Sequence, residues 1–171
     1  MIGSIGGLVF ILINAGQLSA PVDTVVRIVG VLGFVAVVWF AVIRPSGARG
    51  PAEAPSRRAI RIYGTSVTAM VLGIFVGANV INNVLHQPVL TLPWVVLLVG
   101  AHFLPFAGAF HAPVFARLGW TMIGLAVAGG VLALTVDDAA SAWTGVLAGI
   151  CLLAFSAAGS QQAPARAEPA H

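Results

Sequence analysis

The chain has no lysine and one cysteine, Cys151, among its 171 residues. A lone cysteine excludes an intrachain disulfide and any cysteine-based zinc site. Its place inside an apolar run makes it a small packing residue. Charge is equally scarce, at 8% of residues, where a soluble globular chain carries roughly a quarter. No His-Glu-x-x-His occurs, and no glycine-rich turn is followed by Lys, so zincin and phosphate-loop chemistry have no residues to work with. No acidic side chain falls in the interior of an apolar run, which counts against proton- or cation-coupled transport. His86, His102 and His111 sit at three different depths, so no matched pair presents itself for a haem. Ser156 lies in an Ala-Phe-Ser-Ala-Ala context without the features of a nucleophile beside His102. The sequence therefore predicts no metal, no cofactor and no enzyme.

What remains is apolar. Hydrophobic residues make up 59% of the chain and mean hydropathy is +1.02, so lipid is the solvent for most of this surface. Six runs approach the roughly 20 residues needed to cross about 30 Å of hydrocarbon: 2–18, 22–43, 59–85, 89–110, 113–136 and 139–158. The expected fold is all-α, a polytopic membrane protein of six transmembrane helices. The first run is short and carries Asn14 and Gln17 near its end. No basic residue precedes Asp23 and Pro21 follows Ala20, so it reads as a retained helix rather than a cleaved leader. A polar tail, 159–171, is expected to be disordered.

Five of the eight arginines lie between Arg44 and Arg61, mostly in the loop 44–58. Such a segment stays cytoplasmic, which places both termini inside. His111, Arg117 and Arg166 then fall on the inner side, and Asp23 and the Asp137–Asp138 pair on the outer side, with Arg27 the only outer arginine. Trp94 and Trp143 mark the outer interface; Trp39, Tyr63 and Trp120 mark the inner one. The net charge of +3 is thus a matter of topology and of anionic headgroups, not of nucleic acid. The location implied is the plasma membrane, and the first partner is the bilayer.

Candidate sites follow from polar residues in apolar surroundings. Asn14, Gln17, Asp23, Arg27, Asn79, Asn83 and His86 share one depth near the outer face, where they are candidates to line a shallow polar pocket for a headgroup or solute. Asp23 and Arg27, one turn apart, can pair at a helix start. Arg61, Thr65, Thr68, Asn79, Asn83 and His86 form one stripe, which Leu72 and Val76 interrupt, so no continuous water path follows it. His102 lies in the inner third and needs a polar partner, either a carbonyl freed by Pro105 or a neighbour's hydroxyl. Gly3/Gly7, Gly73/Gly77 and Gly145/Gly149 stand at the spacing that lets helices approach closely, within the chain or between membrane proteins, including self-association. Ala15–Val22 echoes Ala107–Val114, a hint of a three-plus-three inverted repeat.

The stretch His102-Phe103-Leu104-Pro105 resembles small multi-pass bacterial membrane proteins in which a Gly-x-His-Phe-Leu-Pro-type motif closes a span rich in Trp and Val, as Trp94 to Pro105 does here. Arginine in place of lysine, with abundant alanine, looks actinobacterial. The resemblance implies a bacterial inner-membrane location and no established activity. The functional expectation is a non-enzymatic accessory protein or subunit acting through helix contacts. The alternatives are a small transporter for a lipid-like or small polar solute, and an enzyme using His102.

Overall fold

A computed structural model describes residues 2–43, 56–110 and 112–159. Every regular element among them is helical. The helices are α1 (Ile2–Ala15), α2 (Val22–Ile43), α3 (Arg57–Asn83), α4 (Thr91–Ala109), α5 (Pro113–Thr135) and α6 (Ala139–Gly159), with a single 3₁₀ turn at Pro88–Leu90 before α4. Five of them are long and apolar enough to cross a membrane. The sixth is not. α1 has 14 residues, about 21 Å at 1.5 Å per residue, and it ends at Ala15 rather than at Leu18. Its last turn closes early: Asn14 Nδ2 donates to the Phe10 carbonyl at 2.7 Å, while the amides of Gln17 and Leu18 bond three residues back, to Asn14 and Ala15.

The other boundaries lie close to those read from hydropathy, and the differences have local causes. α3 begins two residues early because the Ser56 hydroxyl accepts from the Ala59 amide at 3.1 Å, capping the helix. Arg57 and Arg58 therefore belong to its first turn rather than to the loop. α3 stops at Asn83, and His86 stands beyond it in the turn, with φ of 52°. α4 runs unbroken through Pro105, which is exposed, although proline removes one helical hydrogen bond. The rest of the arginine loop, His111 and the tail from residue 160 lie outside the described residues.

Helices consecutive in the sequence alternate in direction, as the pairs Ile11–Gly30, Gly73–Leu98, Gly100–Gly119 and Gly129–Thr144 show. One end of the bundle consequently gathers Arg57, Arg58, Arg61 and Arg117, and the other gathers Asp23, Arg27, Asp137 and Asp138; these are called the arginine end and the acidic end below. α4, α5 and α6 form the centre, around Val96, Leu118, Met122, Ala126, Ala148 and Leu152. α1 lies on α6, and α2 lies on α1 and α6. On the opposite flank α3 packs on α4. α5 packs on α6, whereas α2 and α3 form no comparable pair, so the two three-helix halves are not packed alike.

Glycine sets the closest approaches. A Cβ on Gly149 would lie 2.6 Å from the Gly7 carbonyl oxygen, and one on Gly7 would lie 2.8 Å from that of Gly149. Backbone therefore meets backbone where α1 crosses α6. Gly100 and Gly119 do the same for α4 and α5, at 2.9 and 2.8 Å. In lipid, where apolar association gains nothing from leaving water, such approaches hold helices together by packing alone.

Candidate functional site

The small-residue pairs are occupied within the chain. Gly3 faces Ser156 across the α1–α6 seam, Gly145 carries the Asn14 amide, and Gly77 lies directly under the Trp94 indole. Trp94 Nε1 donates to the Gly73 carbonyl at 3.0 Å, which fastens α3 to α4. None of the three pairs offers a bare groove to another protein.

Two of the candidate polar residues pair at the acidic end of α1 and α2, with a third in the adjoining turn. Asp23 and Arg27 pair through Oδ2 and Nε at 3.9 Å, and Arg27 Nη2 lies over Gly16, 2.8 Å from where a Cβ would stand. Asp23 Oδ1 also accepts from the Thr24 amide and hydroxyl. Gln17 is exposed in the adjoining turn. Asn14 is different, being 3% exposed and turned inward between Gly145 and Leu92. Asn79, Asn83 and His86 are exposed on and beyond α3, on the flank that packs on α4 rather than on α1 or α2. The seven residues thus fall into an Asp23–Arg27–Gln17 corner, a buried Asn14 and a separate α3 group. No cavity described encloses them together.

His102 sits toward the arginine end of α4. Its Nδ1 is 2.7 Å from the Val99 carbonyl. A carbonyl only accepts, so Nδ1 carries the proton in this contact and a neutral ring keeps Nε2 as the acceptor. The partner is neither the Ala101 carbonyl that Pro105 leaves free nor a hydroxyl. The neighbouring hydroxyl, Ser66 of α3, donates instead to the backbone carbonyl of His102 at 3.0 Å. The ring lies 4.2 Å from Phe103 and 5.1 Å from Phe106 between centroids. Tyr63, Phe110 and Phe115 extend this aromatic cluster over α3, α4 and α5. Ser156 faces α1, away from this cluster, and so does not form a pair with the imidazole. Among the described residues no group of three His, Cys, Asp or Glu side chains comes together to hold a metal.

Sequence reasoning missed the aromatic cluster, although Phe103, Phe106 and Phe110 at three- and four-residue spacing place three rings on one face. It also missed the Thr144 hydroxyl, which packs on Gly129 and donates to the Ala140 carbonyl at 2.7 Å. The cavity described lies elsewhere. It is an apolar groove of about 340 Å³ floored by Ile11 and walled by α2 and α6. Comparison of the chain with protein-family models, with curated proteins and with solved structures gives no match.

Proposed function

We propose that this chain is a six-crossing protein of the bacterial plasma membrane with both termini inside, and that it works without catalysis, as a subunit or accessory protein bound through α3. The segregation of arginine and aspartate to opposite ends supports the orientation, because arginine is retained on the cytoplasmic side. α1 completes the count of six as a short crossing held against α6.

One observation carries the functional reading. α3 packs on α4 along one side only, and the opposite stripe holds Thr68, Leu72, Phe75, Val76, Asn79 and Asn83. Phe75 is 72% exposed and Val76 is 63% exposed. Thr68, Asn79 and Asn83 make no side-chain hydrogen bond to any described residue, unlike Asn82, which donates to the Ala78 carbonyl and to Thr91. Asn79 and Asn83 lie at or beyond the depth of Gly77 and its Trp94 contact, near the end of α3, and a polar helix packed on this stripe would give them and Thr68 partners. His102, held by the carbonyl of its own helix and by the tilted Phe103 and edge-on Phe106 rings, supports a packing role rather than an enzymatic one.

Photo-crosslinking residues placed at Leu72 and Val76 should yield a discrete protein adduct that Asn79→Leu abolishes. The same probe at Ile28 and Leu32 of α2 should yield lipid adducts only. Lipid adducts at all four positions would refute the partner face. Reporter fusions at Gly50, His86, Asp138 and the C-terminus should read in, out, out and in; an outside signal at Gly50 would refute the orientation.

A further inference from the structure

The groove between α2 and α6 has dimensions that select its occupant. On α6 it runs from Trp143 to Ala154 and on α2 from Val25 to Val37, about 17 to 18 Å at 1.5 Å per residue. That is close to half of a hydrocarbon core about 30 Å thick. Val25 and Trp143 stand near the acidic-end starts of their helices, so the groove reaches from that interface to about the midplane. It opens sideways, since Val29, Trp143 and Ile150 are all exposed. A single extended chain of methylenes, unlike a helix, can lie along its whole length within about 340 Å³. One acyl chain fits.

Gly30 and Gly33 both line the α2 side of the groove. A Cβ on Gly33 would reach Leu153 Cδ1 at an ordinary 3.7 Å, whereas at Gly30 it would collide with Ile11 at 2.5 Å. Gly30 is therefore tightly packed floor, whereas at Gly33 the α2 wall comes within one carbon's width of contact with Leu153, so a larger side chain there would fill the groove.

An ion pair stands beside the acidic end of the groove, outside its lining. Val26 lines the groove, and Arg27 follows it, with its guanidinium over Gly16 at the end of the same helix that supplies Ile11. The Arg27 and Asp23 side chains are 47% and 27% exposed, and their 3.9 Å separation exceeds a direct hydrogen bond. Each keeps capacity for a further partner. A neighbouring cation and anion suit a phosphate joined to an ammonium group, while a purely anionic headgroup is repelled by Asp23.

We propose that the groove holds one acyl chain of a zwitterionic phospholipid, in the leaflet at the acidic end, with the phosphate on Arg27 and the ammonium on Asp23. This site is independent of the α3 face.

Native mass spectrometry of the purified full chain, with phosphatidylethanolamine and phosphatidylglycerol supplied in equal amounts, tests it. The expected result is one retained lipid per protein, with phosphatidylethanolamine favoured at least threefold. Gly33→Phe, and more mildly Gly33→Leu, should lower retention at least fivefold, while Gly124→Phe on α5, where nothing lies within 4 Å, leaves it unchanged. The double variant Asp23→Asn with Arg27→Gln should erase the headgroup preference. As a check needing no glycine variant, phosphatidylethanolamine with brominated chains should quench the emission lost in Trp143→Phe, saturating at one lipid per protein. A lipid adduct equally abundant in the Gly33 variants, phosphatidylglycerol retained as well as phosphatidylethanolamine, or quenching that never saturates would each overturn the proposal.

Discussion

Gly149→Ala should destabilise this protein although alanine is the better helix former. The new Cβ would stand 2.6 Å from the Gly7 carbonyl oxygen, 2.7 Å from Ile11 Cγ1 and 3.1 Å from the Ile11 amide nitrogen. Ordinary contact begins near 3.4 Å, so α1 must retreat from α6 by as much as 0.8 Å (3.4 − 2.6). Two of the three obstacles are backbone atoms, which cannot rotate aside. Overpacking of this kind costs about 1–3 kcal/mol. Against it stands a gain of roughly 0.5–1 kcal/mol for replacing glycine inside a helix. Gly124→Ala receives that gain alone, because its Cβ enters open space. Gly149→Ala should thus fall below Gly124→Ala by about 1–3 kcal/mol. Unfolding of both variants in mixed micelles by added denaturing detergent, followed by circular dichroism, measures the difference. If Gly149→Ala proves as stable as Gly124→Ala, the α1–α6 crossing is not held by backbone contact.

Two further outcomes follow from single residues. His86 occupies the left-handed region at φ 52°, so His86→Gly should raise stability by up to about 1 kcal/mol and His86→Val should lower it, both read as shifts in thermal unfolding; a loss with glycine would mean that the imidazole itself is held. His102→Leu removes the 2.7 Å bond to Val99 and the ring contacts with Phe103 and Phe106, a loss of about 1–2 kcal/mol, while His102→Gln keeps a donor and loses less. Equal melting of wild type and both variants, with a cellular phenotype for Leu alone, would give His102 a role beyond packing.

Helix positions were legible because apolar runs and their polar ends repeat at bilayer scale. α2 and α5 begin where the sequence placed them, at Val22 and Pro113, since proline at or beside the first turn marks a start. α1 was overextended because hydropathy ignores what Asn14 does: its amide bonds back to Phe10 and sits on Gly145, an inward role that composition does not reveal. The spacing of Gly3/Gly7, Gly73/Gly77 and Gly145/Gly149 was visible, but not its use. Gly73 and Gly77 serve a tryptophan one helix away, and Gly100 meets Gly119 with no four-residue repeat in either helix. The outer polar residues were legible by depth alone. Depth says nothing of position around the bundle, and packing sends Asn79 and Asn83 to the opposite flank from Asp23 and Arg27. The acyl groove had no sequence signal, because valines and glycines of α2 look alike whether they face lipid or line a trough.

The shortness of α1 has a consequence for the membrane itself. Its neighbours α2 and α6 have 22 and 21 residues, whereas α1 has 14. With α1 as the short crossing we propose, the protein offers the bilayer less hydrophobic height beside the Gly16–Pro21 turn than along α2 or α6. A bilayer adapts to a short wall by thinning, at a fraction of a kcal/mol per Å of mismatch. The dimple this creates lowers headgroups toward Arg27 and Asp23, and its cost is smaller in a thinner membrane. Lipid chain length, with no change in headgroup, thus becomes a variable to which this corner of the protein responds.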